Sequence, residues 1–270
     1  MTNTTRLLLR FFLANLLLLA LCSTAGFAAS SNEQKFADLL TRTSDRTATF
    51  LDQFSDVKCT EHVRQEKLNK DEKVQLKEES SYDYLLMLAS AGGELNLSES
   101  RIPIHPVKAD RRNTPMLLSN GFSTLFLVFH PYYSAAFTFT PAGEEVVDGR
   151  LLEKIAFQHI QGMKSPAALA LRGREYPLEL SGTAWVDPQS GSIARIQAGI
   201  GDTLVDVGLK SLSAEIGFAP VPFADTNQVY WFPNRALVEV ETPKQHWRNL
   251  HQFTAYRKFS VSTEEQVAKK

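Results

Sequence analysis

The residues of this 270-residue chain that could do chemistry are its six histidines, two cysteines and thirty acids, so a site would show in their spacing. Zinc enzymes set two histidines on one helix face or at a short ligand spacing. The histidines here stand at 62, 105, 130, 159, 246 and 251. His246 and His251 are five apart in a stretch that reads as a strand, which points them to opposite faces. His130 precedes Pro131 at the end of an apolar run, the position of a helix C-terminal cap. In KEESSYDY (77–84), Glu78, Ser80, Tyr82 and Tyr84 alternate with Lys77, Glu79, Ser81 and Asp83. Paired carboxylates about 5 to 10 Å apart serve glycosidases, but alternating charges are also what a solvated strand face carries. GFSTL (121–125) lacks the second glycine of the hydrolase motif G-x-S-x-G, and there is no P-loop, dinucleotide fingerprint or cysteine pair. The expectation is therefore a non-enzyme with no catalytic residue, metal or cofactor.

The stretch AWVDPQSGSIAR (184–195) places an acid and two serines behind a tryptophan, yet no base stands near the serines in sequence. Its chemistry is that of a turn. Pro188 presets φ, Asp187 accepts from the backbone ahead, and Gly191 supplies a positive φ. Such a loop pairs Asp187 with Ser192, Val186 with Ile193 and Trp185 with Ala194. Val186 and Ile193 then share a face with Leu178, Leu180 and Ala184, while Trp185, Ala194 and Ile196 share the other. Both faces of this hairpin are expected to be at least half covered.

The elements around it follow from period. NEQKFADLLTRTSDRTATFLDQF (32–54) repeats Phe36, Leu40, Thr43, Thr47, Phe50 and Phe54 at spacings of 3 and 4, a helix with one apolar stripe. DVKCTEHVRQE alternates Val57, Cys59 and Val63 with Lys58, Thr60, His62 and Arg64, and pairs through KLNKDEK with VQLKEESSYDYLLMLA as an antiparallel hairpin. LNLSESRIPI is a further strand, and 103–113 reads as a loop. TPMLLSNGFSTLFLVFHP (114–131) reads as a helix capped by Ser119 or Asn120, with Phe122, Leu125, Phe126 and Phe129 on one face. YYSAAFTFT then alternates as a strand, with more strands at 151–160, 167–171, 176–187, 192–200, 203–210, 228–240 and 247–259. One or two helices followed by many antiparallel strands, without α/β alternation, give an α+β fold: a large curved antiparallel sheet, an incomplete barrel, with helices covering its concave face.

Composition bounds the partners. A formal charge of -1 excludes a nucleic-acid binder with a basic face. Arg6 and Arg10, the apolar run FFLANLLLLAL (11–21) and the small residues of STAGFAAS form a signal peptide cut after Ala28, with Ala25 as the alternative. The run is shorter than the ~20 apolar residues of a span, so an N-terminal membrane anchor is the lesser alternative. Cleavage removes two arginines and no acid, leaving 27 basic against 30 acidic side chains, a net charge of -3. Cys22 follows Leu21 in LALC, a poor lipidation site, and an outer-membrane lipoprotein stays the minor possibility. Cys59, the one thiol left, cannot close an internal bridge and reads as a small buried hydrophobe.

Seventeen phenylalanines, seven tyrosines and three tryptophans exceed what a thin core needs. A half-open sheet with a helical lid leaves room for an apolar cleft. GTAWVDPQSGSIARIQA resembles the W-(I/L)-D-P-x-(T/S)-G-x hairpin of the LolA/LolB-like, lipoprotein-carrier superfamily. YWFPNRALVEVE is similar to its tryptophan-x-proline strand start, and FTAYRKFSVSTEE to its closing strand. LSNGFSTLFLVFHPYYSAAFTF and KSPAALALRGREYPLELSGTAW resemble uncharacterised exported proteins of Acidobacteria-type bacteria. The resemblance implies one half-barrel domain over 29–270 and a periplasmic protein whose cavity holds a lipid acyl chain or a lipoprotein. No charged residue matches a carrier's functional position. The expected lining is Phe122, Phe126 and Phe129 from the lid with Phe137 and Phe139 from the next strand. An envelope protein-interaction or sensor module without lipid is the alternative.

Overall fold

The computed structural model describes residues 31–55, 57–91, 94–105, 122–171, 174–200, 204, 208–223 and 229–258. The signal segment 1–28 and Cys22 lie outside them. The chain divides into two compact units, 1–42 and 43–270. In the first, residues 31–42 are helical, with Gln34 Nε2 donating to Asp38 Oδ1 at 2.9 Å and Thr41 Oγ1 to the Ala37 carbonyl at 3.0 Å. In the second, residues 43–55 are helical too, here called α1. The 3-and-4 spacing read over 32–54 is thus helical throughout.

The rest of the larger unit is mostly strand. In chain order come β1 (Val57–Leu68), β2 (Val74–Ala91), β3 (Glu94–Pro103), β4 (Phe137–Val147), β5 (Arg150–His159) and β6 (Ala168–Leu171). They are followed by β7 (Arg174–Pro177), β8 (Leu180–Val186), β9 (Ile193–Ile200), β10 (Ser211–Pro222), β11 (Val229–Glu241) and β12 (His246–Lys258). Ten of them form one antiparallel sheet in the order β3-β2-β1-β12-β11-β10-β9-β8-β5-β4, and β6 pairs with β7 alone. The sheet is open, since β3 and β4 are its edges and do not pair with each other. It also bends. Trp231 on β11 and Arg150 on β5 stand four strand steps apart, about 19 Å across a flat sheet. The Arg150 guanidinium nevertheless lies 4.3 Å from the Trp231 ring centroid.

Parity fixes which side chains enter the bend. On β1, Val57, Cys59, Glu61, Val63 and Gln65 are buried and define the inner face. Two segments cover that face. From α1, Phe54 packs on Phe232 at 5.2 Å and on Tyr84 at 6.4 Å, and Phe50 meets Phe218 edge-on at 5.8 Å. The 3-10 segment Phe122–Phe129 adds Phe126, 4.9 Å from Phe50, and Phe129, 5.9 Å from Phe157.

The described residues are compatible with the expected α+β fold and weighted toward sheet, with one α-helix beside twelve strands. Several local expectations need correction. The helix expected over 114–131 is, where described, a 3-10 segment, and its expected caps lie outside the described residues. Leu125 to Phe129 are all buried, so these five residues show no solvent face and no single stripe. The strand expected from Tyr132 starts only at Phe137. Before it, the Tyr133 and Ser134 amides both donate to the His130 carbonyl at 2.9 Å, which folds the chain into a turn after Pro131. Of the strand expected at 203–210, residues 203 and 205–207 lie outside the described residues; Gly208 takes φ +80°, the Leu209 amide donates to the Leu204 carbonyl at 3.0 Å, and β10 begins only at Ser211. The stretch 176–187 is likewise split, β7 ending at Pro177 and β8 beginning at Leu180.

The 184–195 hairpin keeps its turn and changes its register. Asp187 Oδ1 accepts from the Gln189 and Ser190 amides at 3.1 and 2.8 Å, and Gly191 has φ +71°. Val186 pairs with Ile193, but a bulge sets Trp185 opposite Arg195 and Ala184 opposite Ile196. The bulge serves the indole, whose N–H donates to Glu145 Oε2 at 2.8 Å while the Arg195 guanidinium stacks 3.6 Å from its ring centroid. Ile196 therefore joins Ala184 in register, and Trp185 clusters with Leu152 and Ala194. Trp185 and Val186 are both buried, so both sides of the sheet are covered here.

Candidate functional site: a closed aromatic chamber and a buried ion cluster

The inner face is two-toned. Under β8 to β11 it is aromatic, and under β1 to β3 and β12 it holds charges. The aromatic half holds a small chamber of about 30 Å³, lined by Phe50, Phe126, Ile193, Phe218 and Trp231. Arg46, Thr47, Gly191 and Ser192 give the lining a polar side. Arg46 Nε donates to Ser192 Oγ at 3.2 Å, tying α1 to the end of the β8–β9 turn. A cavity of that volume has room for ordered water, and an acyl chain enters it only if the walls move apart.

Of the five expected lining residues, Phe126 reaches this chamber. Phe129, Phe137 and Phe139 instead form a neighbouring ring cluster, with Phe129 5.0 Å from Phe139 and Phe137 6.2 Å from Phe157. The Phe122 side chain lies outside the described residues. Phe50 stood on the predicted stripe without being assigned to a cavity, while Arg46, Ser192, Phe218 and Trp231 were not foreseen as lining. They meet only because the sheet bends, which no local period records.

The polar half is built on Glu61, which occupies an inward position of β1. Arg101 from β3 reaches it as a fork, Nε to Oε2 at 2.6 Å and Nη2 to Oε1 at 3.0 Å. His251 from β12 lies with Nδ1 2.8 Å from Oε1, and Arg101 Nη1 also donates to Glu99 at 2.7 Å. The Glu61 and His251 side chains are 0% exposed. Burial pushes the Glu61 carboxyl up, but the hydrogen bonds from His251 and Arg101 and the Arg101 charge outweigh it and hold it below the ordinary carboxylate range. Arg101 also stacks 4.9 Å from the Tyr84 ring centroid.

Cys59 is buried, and burial pushes its thiol up to about 12 despite the hydrogen bond from Tyr256, so it is inert at neutral pH. His130 acts as a cap: its Nδ1 accepts from the Tyr132 amide at 3.1 Å, and burial lowers its pKa. His246 and His251 sit on opposite faces, as their spacing requires.

On the outer parity, a hollow of about 550 Å³ crosses β2, β1, β12, β11 and β10. Its charges are matched internally. Arg235 pairs with Glu215 at 2.9 Å, Arg64 with Glu66 at 3.1 Å, and His62 bonds Ser81 at 2.8 Å. Among the described residues, no helix is long and apolar enough to cross a membrane, and no three metal-ligating side chains converge.

No family model matches the chain, and no curated protein matches it. Among solved structures it is similar to a DUF1329 family protein from Desulfovibrio piger, at 12% identity and TM-score 0.45 over 84% of this chain and 92% of that one. It is also similar to a domain assigned to outer membrane lipoprotein sorting from Vibrio parahaemolyticus, at 9% identity and TM-score 0.39 over 81% of this chain and 93% of that one.

Proposed function

We propose that the protein is an exported envelope binding protein that takes an acyl chain, free or carried by a lipid or lipoprotein, between α1 and the inner face of the sheet. Export through the signal segment, a periplasmic location and kinship with exported proteins of Acidobacteria-type bacteria belong to this proposal. So does the absence of catalysis. The observation that carries it is the aromatic chamber beneath a short lid on an open sheet. Phe50, at the chamber wall, is held by ring contacts to Phe126, Phe218 and Phe232. Three such pairs contribute roughly 1.5 to 4.5 kcal/mol. Each buried methylene returns about 0.8 kcal/mol, so a chain of six or more offsets the loss of those contacts. The lid's underside also weakens toward its start. Thr43 and Thr47 are buried there, where Leu51 and Phe54 stand further on.

Native mass spectrometry of protein purified from the envelope without detergent tests this. The expected result is a population carrying the mass of an acyl lipid, exchangeable for a fluorescent fatty acid. Repeated absence of lipid together with no uptake of the fatty acid rejects the reading. The small chamber favours a second reading, an envelope interaction or sensor module that carries no lipid. That reading predicts an empty protein recovered with one stoichiometric protein partner.

A further inference from the structure

The chamber's polar side carries a charge that its apolar lining does not need. Arg46 is half-buried, and its one hydrogen bond goes to the neutral Ser192 hydroxyl. Arg150 is half-buried against the face of Trp231, itself a wall of the chamber. Among the described residues neither guanidinium has a carboxylate within ion-pair distance, whereas Arg101, Arg195, Arg235 and Arg248 all do. Asp187, the acid of the adjoining turn, spends its Oδ1 on the Gln189 and Ser190 amides and the Ser190 hydroxyl, and feels the Arg150 charge without forming an ion pair with it. One guanidinium thus lines a chamber rich in phenylalanine and a second stacks on one of its walls, each without a carboxylate in ion-pair contact.

We infer that the acyl ligand is a single-chain anionic amphiphile. Its head group, a carboxylate or a phosphate monoester, is held by Arg46 and Arg150 while the chain enters between Phe50, Phe126 and Phe218. Guanidinium suits this head, because its fork meets two oxygens at once and it remains charged at every accessible pH. The inference rests on the acyl-binding reading above and narrows it to one ligand class. The Arg46–Ser192 bond is the contact that the head group displaces.

The test is a displacement titration on the full mature chain with a neutral fluorescent probe, comparing palmitate, 1-hexadecanol and a lysophosphatidate. Palmitate is expected to bind at least tenfold tighter than the alcohol, the difference one charge-assisted contact makes. Arg46→Gln and Arg150→Gln are each expected to weaken palmitate roughly tenfold and to leave the alcohol within about twofold. Arg46→Lys and Arg150→Lys, which keep the charge, recover part of the loss, and thermal melting checks that each variant folds. A phosphate source shows as lysophosphatidate binding tighter than palmitate with a larger loss on each substitution. Equal binding of acid and alcohol to the unaltered chain, or unchanged palmitate affinity in both Gln variants, overturns the inference and leaves acyl binding standing. Failure of all three compounds overturns both.

Discussion

Glu61→Ala should lower stability by about 3 to 5 kcal/mol, the usual cost of removing one partner from a buried ion pair. The substitution strands the Arg101 guanidinium and His251 in a region where their side chains are 5% and 0% exposed. Glu99 still accepts from Arg101 Nη1, which places the expected loss toward the lower end of that range. Denaturant unfolding measures it, and a loss under about 1 kcal/mol would show that the cluster does not hold β1, β3 and β12 together. The same carboxyl sets a pH dependence. Its pKa is lowered on folding, so it contributes stability that is fully present above the unfolded value of about 4.3 and is lost as pH falls through the folded value. Unfolding free energy should therefore fall with acid from about pH 5 downward. In Glu61→Gln the curve should be flatter over that window, and parallel curves for the two proteins would contradict this assignment.

Phe232→Ala should cost about 3 to 5 kcal/mol, as truncation of a buried phenylalanine does when its site cannot collapse. Phe232 is 0% exposed, and its ring meets those of Tyr256, Phe54, Tyr230, Phe50 and Phe223 at centroid distances from 5.1 to 6.0 Å. These partners come from α1, β11, β12 and the end of β10, so none can move inward without leaving another. Thermal and denaturant unfolding should agree on the loss. A cost near 1 kcal/mol would mean that the aromatic half of the inner face is loosely packed.

What the sequence shows and what it hides divide along physical lines. The longer strands were legible because each carries a two-residue period over eight residues or more, and the 188–191 turn because Pro188, Asp187 and Gly191 each has a backbone reason to be there. Register was less so. The bulge at Trp185 depends on Glu145 and Arg195, residues from two other strands, and local pattern cannot place them. The 3-10 segment was misread as an α-helix because a run of apolar residues buried on every side also contains the 3-and-4 spacings of a helix stripe. Glu61 was available to inspection. It falls on the parity of Val57, Cys59 and Val63, and an acid on an apolar face signals a buried partner. Its partners, Arg101 and His251, lie 40 and 190 residues away and become visible only once β3 and β12 flank the β1–β2 hairpin. The chamber was hidden for the same reason: its walls come from α1, the 3-10 segment, β9, β10 and β11.

Trp231 allows the acyl-binding claim to be tested at the chamber itself. With Trp185 and Trp247 replaced by phenylalanine, Trp231 is the single remaining indole of the chain and stands in the wall. Titration with a brominated long-chain fatty acid should quench its emission saturably, and an excess of unlabelled fatty acid should restore it. Emission that stays unquenched, in a variant shown by its melting curve to be folded, would contradict an acyl chain entering beneath α1.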